Sequence, residues 1–184
     1  MSKWSNFYMS KMQGDTYVKH VNSMYKPFID QLLCRMHANS VVGEMGCGIG
    51  TITKILATTK PGAIYHCIDK CNDQLDLTRN NISDVRYVKL QQADILLDMS
   101  SLVHYDVIHG HGVLEHFDLK DITKIVEAQR KIAKSVVHYV PGNKYKLGSF
   151  GDERLLSLDT WKRETNPSVA FSFNDDHDYV LIWE

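Results

Sequence analysis

Residues 40–57 read Ser-Val-Val-Gly-Glu-Met-Gly-Cys-Gly-Ile-Gly-Thr-Ile-Thr-Lys-Ile-Leu-Ala, and this stretch decides the fold. A short apolar run that ends at Glu44 predicts a strand, and apolar residues at helical spacing after the glycines predict a helix. Between them lie Gly46, Gly48 and Gly50, which let the backbone turn tightly and approach a ligand closely. A strand, a glycine-rich turn and a helix N-terminus together form a nucleotide-binding corner.

The spacing of these glycines excludes two common phosphate-binding motifs. A dinucleotide fingerprint has glycine or alanine at its sixth position. This chain has Thr51 there when counted from Gly46, and Thr53 when counted from Gly48. A P-loop requires Gly-Lys followed by Ser or Thr, which is absent. Glu44 also places a carboxylate where a pyrophosphate would need a cationic group.

The pattern acid-x-Gly-x-Gly-x-Gly resembles the first motif of the class I S-adenosylmethionine-dependent methyltransferases, especially their small-molecule type 11 and type 25 domains. In that family the acid and glycines hold the amino-acid end of the cofactor, and a second acid after the next strand binds the ribose hydroxyls. Asp69 closes the run 63–69, nineteen residues after Gly50. The resemblance implies S-adenosylmethionine as cofactor and S-adenosylhomocysteine as product, held by Glu44, Gly46, Cys47, Gly48, Gly50 and Asp69.

Three further cofactor contacts follow from the resemblance at the adenine end. The alternating run 85–90 predicts a third strand. After it, the resemblance implies that Asp94 meets the adenine amino group and that Ile95 lies beside the ring. Lys70 stands where many relatives have an apolar residue, and its alkyl stem could cover the ring.

Residues 105–116 read Tyr-Asp-Val-Ile-His-Gly-His-Gly-Val-Leu-Glu-His and predict a fourth strand that ends at a ligand site. The ending Leu-Glu-His is common in small-molecule members of the family. The resemblance implies that the backbone around Gly110 and His111 lines the methionine end of the cofactor. His111 or His116 is the candidate general base, because imidazole titrates near neutral pH. For His116 the alternative is a structural hydrogen bond at a helix N-terminus.

The histidine and cysteine patterns lead us to predict no metal site. His109-x-His111-x3-Glu115 has the spacing of a cupin metal motif, but cupins are all-β and this chain alternates helices and strands. Cys67 falls in a predicted buried strand, and the Cys67–Cys71 spacing has no matching second pair, so structural thiols are the better interpretation. Such thiols fit a reducing, cytoplasmic compartment.

The composition limits the classes of binding partner that we expect for this chain. The chain has 184 residues, 43% hydrophobic and 23% charged, with a formal net charge of −1, which suits one soluble globular domain. It has no basic block, so composition gives no electrostatic argument for a nucleic-acid partner. We predict no transmembrane segment, no signal peptide and no membrane partner. The sequence does not decide between a monomer and a homodimer.

The order of the elements predicts an α/β fold. It is a Rossmann-like, doubly wound, seven-stranded and mostly parallel sheet with an antiparallel last strand. We expect a single methyltransferase domain with its core over 40–184. Residues 143–154 predict a long loop after the fifth strand, which either shapes the acceptor site or, at Asp152, Glu153 and Arg154, simply starts the last helix. Residues 1–39 predict a helical N-terminal cap. Either this cap covers the pocket and contributes acceptor contacts, with Tyr17, His20 and Tyr25 as candidates, or it simply packs on the sheet.

The resemblance implies a methyltransferase that acts on an oxygen or nitrogen atom of a small-molecule acceptor. The Asn/Asp-Pro-Pro-aromatic motif of amino-methylating DNA and protein-glutamine enzymes is absent, which disfavours those acceptors. Two alternatives stay open: a protein or RNA methyltransferase, and a non-catalytic partner subunit that binds S-adenosylmethionine. The glycine spacing disfavours a nicotinamide-dependent oxidoreductase.

Overall fold

The computed structural model describes Asn6, Tyr8 and residues 15–145 and 152–184. Strands and helices alternate along these residues. The strands are β1 (Val41–Met45), β2 (Ile64–Asp69), β3 (Val88–Gln92), β4 (Tyr105–His111), β5 (Ala133–Pro141), β6 (Val169–Phe173) and β7 (Asp178–Trp183). The helices are α1 (Asp15–Met24), α2 (Lys26–Arg35), α3 (Thr51–Thr59), α4 (Asn72–Asn81), α5 (Leu119–Ile132) and α6 (Leu158–Thr165), with short 3₁₀ turns at Met99–Ser101 and Leu114–His116.

The strands form one sheet in the order β3-β2-β1-β4-β5-β7-β6. Neighbouring strands from β3 through β5 are parallel, whereas β7 runs antiparallel to both β5 and β6. The predicted fold class and the antiparallel last strand are therefore confirmed. The strand order reverses between β1 and β4, and an open α/β sheet binds its ligand in the crevice at this point.

Apolar cores cover both faces of the sheet, which explains the continuous apolar runs of its central strands. On one face α2 and α3 contribute Phe28 and Ile55 to a buried cluster. On the other face α5 and α6 contribute Ile122 and Trp161. Every residue of β7 is buried, as expected for a strand inserted between two others.

The N-terminal helices pack on the sheet. Val21 of α1 and Phe28 of α2 are buried in the same cluster as residues of β1 and β5. The described part of the predicted cap is helical over Asp15–Met24 and Lys26–Arg35. Residues 1–5, 7 and 9–14 of that cap lie outside the described residues. Among the helices of the described part, none has both the length and the apolar character needed to cross a membrane.

Two element boundaries differ from the sequence prediction. β3 spans Val88–Gln92 rather than 85–90. The last helix begins at Leu158 instead of 152–154, because the Ser157 hydroxyl caps it by accepting the Thr160 N–H at 3.2 Å. Residues 152–154 are consequently free of the helix and approach the turn after β4.

Candidate functional site

The glycine turn after β1 has a backbone that only glycine adopts easily. Gly46, Gly48 and Gly50 have φ values of 66°, 55° and 69°, in the left-handed region. A Cβ at Gly46 would lie 2.9 Å from the side chain of Val113. The turn therefore packs tightly against the segment after β4, which brings the ends of two neighbouring strands together.

Asp69 joins the end of β2 to this turn. Its Oδ2 accepts the Gly48 N–H at 3.0 Å, and its Oδ1 accepts the Cys71 N–H at 2.9 Å. Burial raises the pKa of Asp69 above its ordinary value, and the hydrogen bonds from the backbone oppose that shift. Each carboxylate oxygen keeps a further lone pair, so Asp69 can also accept hydrogen bonds from a ligand's hydroxyls.

A cavity of about 240 Å³ opens at the carboxyl ends of β1, β2 and β4. Eight residues singled out from the sequence line it: Gly46, Gly48, Asp69, Lys70, Asp94, Ile95, His111 and His116. The sequence analysis did not single out the other eight: Tyr8, Cys71, Gln74, Ala93, Gly112, Val113, Phe117 and Asp152. Most of these are chain neighbours of candidates, but Tyr8 reaches the cavity through tertiary packing and leaves no motif to find. Asp152 belongs to the predicted loop 143–154, for which a place at the acceptor site was one of the two alternatives.

Glu44 takes a different place from the one expected of a cofactor ligand. It is 3% exposed and does not line the cavity among the described residues. Its Oε2 accepts hydrogen bonds from Thr53 N at 3.1 Å and Thr53 Oγ1 at 2.6 Å. Burial raises the pKa of Glu44 to about 7. Glu44 therefore ties β1 to α3 beneath the glycine turn.

Three other candidates also lie behind the cavity wall. Gly50 is the N-cap of α3. Cys47 is buried, with its sulfur 3.8 Å from the Thr78 hydroxyl. Gly110 lies inside the sheet, where a Cβ would come within 2.6 Å of His138 Nδ1.

His111 forms part of an aromatic group beside the cavity. Its ring stacks on Tyr139 with centroids 4.5 Å apart, and Tyr25 meets it edge-on at 4.2 Å. Within the described residues, His111 Nε2 has no hydrogen-bond partner. Burial lowers the pKa of His111 to about 4. The ring is therefore neutral near pH 7 and can accept a hydrogen bond, although it is a weak base.

His116 lies between two carboxylates at the same end of the cavity. Its Nδ1 is 3.2 Å from Asp152 Oδ1, and its Nε2 is 4.0 Å from Glu115 Oε1. Glu115 is buried, which raises the pKa of its carboxyl to about 8. The backbone N–H of Arg154 donates to Glu115 O at 2.8 Å, and this bond fixes the 152–154 segment beside His116.

The three candidate acceptor contacts in the N-terminal helical region occupy different positions in the structure. Tyr25 touches His111, Tyr17 is half-buried against the core, and His20 is exposed. None of the three lines the cavity in the described part of the chain. Tyr8 lies closer, with its hydroxyl 3.2 Å from the position of a Cβ at Gly48.

A protein-family model described as a methyltransferase domain matches residues 44–136. The match spans half of the chain and includes the glycine turn, Asp69 and the segment after β4. The chain belongs to this family, the class I S-adenosylmethionine-dependent methyltransferases. Its cofactor is S-adenosylmethionine, which becomes S-adenosylhomocysteine on methyl transfer.

Solved structures with the same fold agree in overall architecture. The PH0226 protein from Pyrococcus horikoshii matches with a TM-score of 0.75 at 12% identity, covering 97% of this chain and 98% of that one. Magnesium protoporphyrin IX methyltransferase from Synechocystis, solved with bound S-adenosylhomocysteine, matches with a TM-score of 0.67 at 13% identity, covering 97% and 91%. A chain from the complex of the Haloferax volcanii Trm112 methyltransferase activator with a protein assigned as a methyltransferase matches with a TM-score of 0.71 at 13% identity, covering 99% and 97%. No curated protein matches the sequence significantly.

The residues of the cavity fit the cofactor. Gly46 and Gly48 line the cavity where a Cβ would press against Val113 and Tyr8, and the Asp69 carboxylate can accept from a ribose diol. Ala93 and Ile95 supply apolar surface for a flat ring, and Asp94 supplies an acceptor for an amino group. The lining thus offers acceptor groups and apolar surface suited to the ribose and adenine of the cofactor.

Proposed function

We propose that this chain transfers the methyl group of S-adenosylmethionine to an oxygen or nitrogen atom of a small-molecule acceptor. The observation that carries the proposal is the Asp69 carboxylate, which is hydrogen-bonded to the glycine turn on the wall of a recessed cavity. The cofactor supplies an activated methyl group when it is bound. The residues of the chain bind the two reactants, align them and exclude water.

In this proposal the cavity holds the cofactor along its length. Asp69 accepts from the ribose hydroxyls, Asp94 and Ile95 contact the adenine, and the alkyl stem of Lys70 covers the ring. The backbone at Gly46 and Gly48 faces the amino-acid end. Glu44 acts indirectly, because its bonds to Thr53 fix the start of α3 and hence the shape of the turn.

The acceptor then enters at the end of the cavity formed by the segment after β4. Alignment of two reactants at near-attack distance can supply roughly 7–11 kcal/mol of the barrier in favourable cases. His111 and His116 line this end, and either can accept a proton or a hydrogen bond from the acceptor. The low pKa of His111 favours a role for that ring in orienting the acceptor by a hydrogen bond.

Two features support a small acceptor. The cavity measures about 240 Å³, which is small for a ligand site. Among the described residues that line it, the charged side chains are Asp69, Asp94 and Asp152 with Lys70, and this excess of carboxylates opposes a polyanion such as RNA.

The cysteines support a reducing compartment. Four free thiols in the described residues fit a protein of the reducing cytoplasm.

A second candidate is a methyltransferase that works with a protein partner. It is favoured by the match to a chain from a complex with a methyltransferase activator. In that case the chain alone would bind the cofactor and transfer methyl groups only with its partner, or would serve as a cofactor-binding subunit without turnover.

Transfer of labelled methyl from S-adenosylmethionine into a cell extract separated by size tests these functions. We expect label in the small-molecule fraction. Label in protein or RNA would overturn the acceptor class and keep the chemistry. No label, with S-adenosylhomocysteine binding intact in a calorimetric titration, would overturn turnover by the chain alone and favour the partner-dependent candidate.

A further inference from the structure

Three potential metal ligands meet at the acceptor end of the cavity. One ligand atom from each of His116, Asp152 and Glu153 lies within 4.8 Å of the others. His116 belongs to the turn Leu114–His116, and the two acids precede α6. A main-chain hydrogen bond from Arg154 N to Glu115 O at 2.8 Å joins these two segments.

The two carboxyl groups that contact His116 have no basic side chain paired with them in the described part of the chain. Glu115 and Asp152 both have ion-pair contacts with His116, and no lysine or arginine of the described residues pairs with either of them. A cation bound beside Asp152 would offset the charge of that carboxylate.

Glu115 provides an independent observation that points to a cation. The residue is 3% exposed, and its Oε2 has no hydrogen-bond partner within the described residues. Burying a polar atom without a partner is costly. Its other oxygen faces His116 Nε2 at 4.0 Å. A histidine that ligates a metal through one nitrogen almost always donates its other N–H to a carboxylate or carbonyl. Glu115 lies nearer to Nε2 of His116, and Asp152 lies nearer to Nδ1.

We propose that His116, Asp152 and Glu153 bind a divalent metal ion at the acceptor end of the cavity. His116 coordinates through Nδ1, and its Nε2–H donates to Glu115 once the ring closes the present 4.0 Å gap. This proposal departs from the sequence analysis, which led us to predict no metal site. An imidazole with two carboxylates suits borderline and hard ions such as Mn²⁺ or Zn²⁺. The Asp152 side chain is 58% exposed, which leaves an entry path and room for further ligands.

The position of the ion also defines an acceptor class. His116 and Asp152 line the same cavity as the proposed cofactor contacts, so an ion between them would face the acceptor. Such an ion would coordinate an oxygen atom of the acceptor, as a hydroxyl or carboxylate, and hold it near the methyl group. This substrate class rests on the proposed function, whereas the metal site itself does not.

Electron paramagnetic resonance with Mn²⁺ alone tests the site, because free Mn²⁺ gives a sharp signal that weakens when the ion binds protein. We expect the wild-type chain to bind one Mn²⁺ and the double variant Asp152→Asn/Glu153→Gln to lose that binding. Glu115→Gln should weaken binding by about 10- to 100-fold, as other changes to residues behind a metal ligand do. Asp159→Asn removes an exposed carboxylate from α6 and should bind Mn²⁺ as the wild type does.

Circular dichroism checks that each variant is folded, and the single exposed change Asp152→Asn serves if the double variant is not. No uptake by the wild type at millimolar Mn²⁺, or equal uptake by the wild type and the Asp152 variants, would overturn the site. Calorimetric titration with S-adenosylhomocysteine separates the two proposals. Cofactor binding without Mn²⁺ binding rejects the metal site alone, and Mn²⁺ binding without cofactor binding rejects the proposed function and keeps the site.

Discussion

At the scale of single residues, Asp69 decides how the cofactor is held. Asp69→Asn removes the charge and replaces one acceptor oxygen by a donor, so bonds to the ribose hydroxyls are lost. Hydrogen bonds to a charged group contribute about 1.5–3 kcal/mol, and we expect S-adenosylhomocysteine affinity to fall by at least about tenfold in calorimetry. Asp76→Asn removes an exposed carboxylate from α4 and should leave affinity unchanged. Equal affinity for Asp69→Asn would contradict the assignment.

Glu44 predicts a pH dependence of stability. Its pKa is raised by burial from 4.5 to about 7, so folding favours the protonated form. The stability contributed by this group is fully present below about pH 4.5 and is lost as the pH rises through 7. Glu44→Gln keeps an acceptor for Thr53 and does not ionise. As the pH rises between these values, we expect the free energy of unfolding of Glu44→Gln to increase by roughly 3 kcal/mol relative to that of the wild type.

Urea unfolding of both chains at several pH values measures this difference. A difference in unfolding free energy that does not change with pH would show that Glu44 is ionised in the folded chain. Loss of S-adenosylhomocysteine binding in Glu44→Gln at unchanged stability would instead favour direct contact between Glu44 and the cofactor.

At the scale of elements, α5 begins at a side-chain cap. Asp118 Oδ1 accepts the Asp121 N–H at 2.9 Å. Removing such a cap costs about 1 kcal/mol, so Asp118→Ala should lower the free energy of unfolding by that amount in a urea titration. Asp118→Asn retains an acceptor oxygen and should be nearly neutral. An equal loss in both variants would assign the effect to charge at the helix N-terminus rather than to the cap.

The packing of β4 against β5 depends on a glycine at position 110. A Cβ there would lie 2.6 Å from His138 Nδ1, and His138 is itself held by a 2.7 Å hydrogen bond to Gln129. Overpacking a buried site costs about 1–3 kcal/mol, which is our expectation for Gly110→Ala in urea unfolding. The same change should cost less in a His138→Ala background. Equal costs in both backgrounds would exclude the clash with His138.

At the scale of the whole molecule, cofactor binding should stabilise the fold by mass action. S-adenosylhomocysteine at 100 times its Kd adds about 2.7 kcal/mol to the free energy of unfolding if it binds only the folded chain. For a chain of this size, Tm should rise by about 5–10 °C, which differential scanning fluorimetry measures. Asp69→Asn should show a smaller rise at the same ligand concentration. An unchanged Tm for the wild type would mean that the folded chain does not bind this ligand.

The sequence predicted the fold well because the decisive signals are local. The strand, glycine turn and helix of 40–57 and the acid at Asp69 follow from chain spacing, and the structure bears out the alternating elements around them. Element boundaries were predicted less accurately where a side-chain cap decides the helix start, as Ser157 does for the helix that begins at Leu158. The polar run 152–154 suggested a helix start, but the serine hydroxyl provides the cap further along.

The candidate site was less accessible from the sequence, because side-chain direction depends on tertiary packing. Glu44 precedes the glycines as the resemblance requires, yet its carboxylate points to Thr53. Asp152 lies beside His116 although thirty-five residues separate them in the chain. The local pattern gave the type of each residue and its place along a strand, and the packing of α3 and of the 152–154 segment decided what it touches.

The placement of β7 has a consequence for the time course of folding. Among the described strands, β6 pairs only with β7, and β7 in turn pairs with β5. Although β6 precedes β7 in the chain, it cannot join the sheet until β7 has docked. At this edge β6 is therefore synthesised before β7 but joins the sheet no earlier than β7. A nascent chain that has exposed β6 but not β7 carries an unpaired strand. The amides of β6 should accordingly gain protection from hydrogen exchange no earlier than those of β7.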